Sequence, residues 1–160
     1  MVQLSGTVTS AGLTKHGKKM IADAMFEKGA SFTGAALLLR EKGGYEHVVL
    51  HLICQGLENV MKSILLHEDY DKHKKKIKEK IGHNLVKAVN AVIKVKGSKG
   101  ISNELRAQLE NINHFYKNHF LRYGGMSDIF IQPQKGDSEL VLQKLLQVIK
   151  VIRCRQHRGK

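Results

Sequence analysis

His119 and Arg122 stand three residues apart, with His114 a little over one helical turn before them. Histidine titrates near neutrality and can take the proton from a ribose 2′-hydroxyl. Arginine holds phosphate oxygens through its bidentate fork. A base and such a cation are what metal-free RNA cleavage requires. At helical spacing His119 and Arg122 are neighbours, and a dimer can bring the pair from two chains into one cleft. The same residues also have a structural reading. Arg122 then caps a helix C-terminus, where positive charge is favourable, and His119 packs at a partly buried position.

Other residues suit phosphate binding rather than bond breaking. Lys72, Lys74, Lys75, Lys76, Lys78 and Lys80 fall within nine residues. Such a run can grip a phosphate backbone, or form a solvated connection or a short exposed helix. Tyr70 is the single aromatic beside it, so base stacking is not indicated there. His83 follows, either facing a nucleotide or helping to cap the next helix. Glu58 and Lys62 are four apart in the order that favours a helix-surface ion pair. No glycine-rich phosphate loop follows a strand, and there is no zinc spacing and no nucleophile elbow. The cysteines, Cys54 and Cys154, form no CxxC and read as structural thiols in a reducing compartment. No metal and no cofactor is expected.

The totals bound the partners. Lys and Arg number 27 against 14 Asp and Glu, for a formal charge of +13. That balance attracts polyanions, with RNA, DNA, nucleotides and acidic proteins all compatible, or it serves solubility alone. Hydrophobic residues make up 42%, which argues against disorder. The N-terminus lacks an apolar signal core, and no run approaches the roughly 20 apolar residues that cross a bilayer. A cytoplasmic protein without membrane contact is the expectation.

Those side chains must be positioned by helices. With 160 residues and one proline, Pro133, the chain predicts a single all-α domain over 1–160. Its ends are a loose N-terminal arm, 1–13, and a basic tail, 153–160. The central element is Tyr45 to His67, where Val49, Leu52, Ile53, Leu57, Val60, Ile64 and Leu65 form a broad apolar face. Before it, Thr14 to Glu41 reads as a helix interrupted or closely packed at Gly29 and Gly34, and Lys42-Gly43-Gly44 ends it. After the lysine run come helices from about Asn84 to Lys96, from Ser102 to Tyr123, and from Asp137 or Ser138 to the basic tail. About five helices with short turns predict an antiparallel up-and-down bundle.

Three pieces together resemble the HEPN family, the higher-eukaryote and prokaryote nucleotide-binding domains. They are Glu58 and Lys62 within Gln55–Leu65 on the long helix, His83-Asn84-Leu85 at the next helix start, and Arg122-Tyr123 after Asn113-His114-Phe115-Tyr116. The family shows a Glu–Lys helix motif, a His–amide–Leu element and an Arg–Tyr pair in this order. The resemblance covers residues 14 to about 123. It implies binding of RNA or a nucleotide by Arg122, Tyr123 and His83, to which the charge run adds the lysines Lys74, Lys75, Lys76 and Lys78. It also implies a homodimer in a bacterial defence, toxin–antitoxin or stress system, sometimes beside a nucleotidyltransferase-type partner.

The chain departs from the family's ribonuclease motif, an Arg and a His separated by four to six residues. No histidine follows Arg122 at that spacing, and seven residues separate Arg106 from His114. Arg40 and His47 fit the count, but Gly43-Gly44 lies between them. A non-catalytic domain binding RNA or a nucleotide is therefore the leading expectation. The alternatives are a metal-free endoribonuclease using Arg122 with His119 or His114, and a protein-interaction module with a solubilising basic surface.

Overall fold

The computed structural model describes residues 12–118, 121, 130 and 132–158. Their fold is an all-α bundle, and among the described residues there is no strand. The helices are α1 (Lys15–Glu41), α2 (Glu46–Glu68), α3 (Tyr70–Lys76), α4 (Leu85–Lys96), α5 (Asn103–Lys117) and α6 (Glu139–Arg158). A π-helical turn, Ile77–Ile81, extends α3, and a 3-10 turn, Lys135–Asp137, precedes α6.

Local chemistry sets the helix starts. The Thr14 hydroxyl accepts from the Gly17 amide, Asp69 from Lys72, Asn84 from Lys87 and Ser102 from Leu105. Each side chain satisfies a backbone N–H that the first helical turn leaves unpaired. Asn84, not His83, is thus the cap of α4. A second donor of that turn, the Leu85 amide, bonds to Asn113 Oδ1 of α5 at 2.7 Å. At the other end Gly97 takes a left-handed conformation, φ 61°, and closes the helix.

α2 is the hub. It packs against α1, α3, α4, α5 and α6. Val49, Ile53, Cys54, Val60 and Leu65 are fully buried along it, and Phe26, Leu85, Ile112 and Leu145 close over them from four other helices. α2 is the one described helix with the length and composition to cross a membrane, and 67% of its most apolar window is buried inside the bundle.

α1 is continuous through both of its interior glycines. At Gly29 the backbone of α2 comes so close that a Cβ would lie 2.8 Å from Val60 Cγ2 and 2.9 Å from Val60 N. Gly34 has open space around it. The two glycines therefore have different roles: the first sets the α1–α2 crossing and the second does not.

The lysine-rich stretch, expected as a solvated connection or a short exposed helix, is helical, as α3 and its π turn. Two expectations change. The fourth helix ends at Lys117, with Asn118 as its cap, rather than running to Tyr123. Asparagine is a poor residue for a helix interior, because its side chain competes for nearby backbone groups. The basic stretch from Arg153 begins as helix, since α6 runs to Arg158, and Arg153 pairs with Glu27 of α1 at 3.3 Å. Residues 1–11 of the expected arm lie outside the described residues.

Candidate functional site

Glu58 lies at the centre of a polar cluster inside the bundle. Lys62, one turn on, donates to its Oε1 at 2.7 Å. The Tyr116 hydroxyl of α5 donates to Oε2 at 2.5 Å. His83, from the turn before α4, places Nδ1 at 3.2 and 3.1 Å from the two oxygens. Glu58 and Lys62 are both buried, each side chain retaining about a tenth of its exposure. The sequence expectation of a surface ion pair is corrected here: the pair is internal.

The backbone brings His83 to this position by an unusual route. The π turn ends with the Gly82 amide bonding to Ile77 O at 2.9 Å. Gly82 then takes φ 54°, ψ −126°, a region that side chains with a Cβ rarely adopt. The chain reverses there, and His83 enters beside Glu58 before Asn84 starts α4.

Burial alone would raise the Glu58 pKa. The hydrogen bonds from Lys62 and Tyr116, the Lys62 charge and the contact with His83 outweigh that penalty and hold it below the usual carboxylate range. Glu58 is therefore ionised, and His83 Nδ1 must present its proton to it. The anchored carboxylate thus orients the His83 imidazole, whose side chain keeps 48% of its exposure. Cys54 lies on the same helix, fully buried. Burial first, and then the Glu58 charge, push its thiol pKa up, so it is not a nucleophile.

Lys74, Lys75, Lys78 and Lys80 are exposed on α3 and the π turn, and Lys76 is half-buried. Lys74 lies over the Tyr70 ring, 5.7 Å from its centre. Asp71 beside them is paired with Lys18 of α1 at 2.5 Å. Among the described residues no carboxylate is within ion-pair distance of these lysines. His73 faces inward from α3 and is buried. Burial and then Lys76 and Lys72 lower its pKa, so it is neutral.

The structure thus joins His83 to Glu58 and Lys62, and leads the lysine segment directly into that turn. His114 is elsewhere on α5, exposed, with its ring edge-on to Phe115 at 5.6 Å. His119, Arg122 and Tyr123 lie outside the described residues. Sequence reasoning missed Tyr116 as a polar partner and the inward aim of Glu58. One signal was available. His47, His51, Glu58 and Lys62 fall within about 60° of arc at 100° per residue, a stripe of titratable side chains along one line of the helix.

Among the described residues no cluster of three His, Cys, Asp or Glu side chains is arranged to hold a metal ion. Comparison of the chain with protein-family models, with curated proteins and with solved structures finds no match.

Proposed function

We propose that this chain is a HEPN-like helical domain that binds RNA or a nucleotide without cleaving it. One observation carries the reading. A row of exposed lysines, none of them in an ion pair among the described residues, runs along α3 and the π turn to the turn that carries His83 to Glu58. Phosphates attract such a row, and the turn supplies a polar end point for it. Two of the three motifs behind the family resemblance, Glu58–Lys62 and His83-Asn84-Leu85, are far apart in sequence and meet in one cluster. That convergence supports treating them as one device. The resemblance also carries the proposal of a homodimer in a bacterial defence, toxin–antitoxin or stress system with a nucleotidyltransferase-type partner.

The test is binding of single-stranded RNA across a range of salt. The slope of log affinity against log salt is about −0.7 per phosphate neutralised on single strands. A slope of several units is expected, and it should shrink when Lys74, Lys75, Lys78 and Lys80 are changed to Gln. A flat salt response would sink the reading and leave an interaction module with a solubilising surface.

A second reading, a metal-free endoribonuclease, is favoured by the Glu58–His83 arrangement, which provides an oriented imidazole. Incubation of RNA with the protein in EDTA separates the two. Cleavage that disappears in both His83→Gln and Arg122→Ala would establish the nuclease. Intact RNA with the wild type leaves the binding domain.

A further inference from the structure

α5 has a second working face besides the one that carries Asn113 and Tyr116. Gln108 staples the segment before α6 to it. Its Nε2 donates to Gly136 O at 2.8 Å, and its Oε1 accepts from the Leu140 amide at 3.0 Å. The segment braces itself as well, with the Gln134 amide donating to Asp137 Oδ2 at 2.8 Å. Between the stapled segment and α5 a cavity of about 230 Å³ remains open to solvent. Leu50, Ile112, Phe115 and Pro133 form its apolar walls, and Asn111, Gln132 and Asp137 supply its polar groups.

The lining selects its ligand. Among the described residues that line it there is no lysine or arginine, so none of them offers a positive charge to phosphate. Apolar walls with an aromatic ring suit a flat, weakly polar group. A cavity near 150 Å³ holds a benzene-sized ring, so this one has room for a one- or two-ring heterocycle. The Asn111 and Gln132 side chains make no hydrogen bond among the described residues, and each offers a donor and an acceptor. Asp137 accepts from amino and ring N–H groups. Amides pair with adenine edges, and carboxylates accept from the cytosine amino group.

We infer that this cavity is a nucleobase subsite. The inference rests on the RNA or nucleotide reading and adds base recognition to it. Phosphate contacts on the lysine segment then hold the strand, while the cavity reads a base.

The experiment separates the two parts by using probes that carry only one of them. Uncharged cytidine, adenosine and uridine are titrated into the isotope-labelled protein and followed by amide chemical shifts. Inorganic polyphosphate, which has no base, is titrated in parallel. The nucleosides should give saturable shifts confined to residues 111–116 and 132–137. Asn111→Trp, at an exposed helical position, should fill the mouth and weaken nucleoside binding at least ten-fold while leaving polyphosphate binding unchanged. Gln132→Ala should weaken nucleoside binding without blocking the cavity. Absence of saturable nucleoside shifts, or full retention of them in both variants, overturns the subsite whatever polyphosphate does. Failure of polyphosphate to bind overturns the lysine reading and leaves the nucleoside result to stand by itself.

Discussion

Glu58 receives Lys62, Tyr116 and His83 on two oxygens, and its energetics follow from that crowding. A buried ion pair broken on one side leaves an uncompensated charge, at a cost of about 3–5 kcal/mol. Glu58→Ala should therefore destabilise the fold by about that amount in denaturant melts, because the Lys62 ammonium loses its buried partner. Replacing both members, Glu58→Leu with Lys62→Met, should restore most of the loss. Tyr116→Phe removes one hydrogen bond to a charged acceptor and should cost about 1.5–3 kcal/mol. The pH dependence has a fixed sign. The folded pKa of Glu58 lies below its ordinary 4.5, so its contribution is complete above that value and is lost as pH falls through the folded pKa. His73 acts earlier. Its folded pKa lies below 6.5, so the unfolded chain binds more protons in that window and stability falls as pH drops from 6.5. Melts across pH 7 to 5 should show this decline in the wild type and a flatter profile in His73→Gln. None of this was legible from Glu58 and Lys62 alone. Four-residue spacing of opposite charges looks the same on a surface as inside. The partner that distinguishes the two cases, Tyr116, is 58 residues away.

Helix starts were the legible part of the elements, because Thr14, Asn84 and Ser102 each precede an apolar repeat and each accepts a backbone amide in the fold. Where the apolar repeat and the local preference of a residue disagree, the repeat misleads. Tyr116, His119 and Tyr123 keep helical spacing past Asn118, yet α5 stops at Lys117. The α3 segment has too few apolar residues to declare itself, and its helix depends on the Asp69 cap and on burial of His73 and Ile81. Glycine roles were equally open in sequence and are separated by packing. Gly34→Ala should stabilise by up to about 1 kcal/mol, the helix-propensity difference, since nothing lies within 4 Å of the added methyl. Gly29→Ala gains the same propensity but drives its Cβ into Val60, including the backbone nitrogen, and overpacking costs about 1–3 kcal/mol. Opposite signs in paired thermal melts are expected. Equal stabilisation by both would mean that the α1–α2 crossing can open without cost.

At the scale of the whole molecule the question is whether the charge of +13 acts as a total or as a pattern. A few of the cations are locally answered: Lys18 by Asp71, Lys96 by Glu68, Arg153 by Glu27, and the buried Arg40 by Glu46 and Glu139. Such neutralised cations contribute little to the field beyond a Debye length of about 8 Å at physiological salt. The α3 and π-turn lysines are different, since Lys74, Lys75, Lys78 and Lys80 stand close together and none of them is in an ion pair among the described residues, while Asp71 is held by Lys18. A matched pair of variants decides between total and pattern. One changes Lys74, Lys75, Lys78 and Lys80 to Gln. The other changes Lys94, Lys99, Lys117 and Lys144, also exposed but dispersed over other parts of the fold. Both lose the same four charges. If the pattern matters, the first should lower RNA affinity at least ten-fold more than the second and reduce the salt slope by about 0.7 for each phosphate contact removed. Equal losses would show that bulk charge governs binding and that the lysine segment is only a solvated face. A larger loss in the dispersed set would move the binding surface away from α3 altogether, and with it the role assigned to the turn that delivers His83 to Glu58.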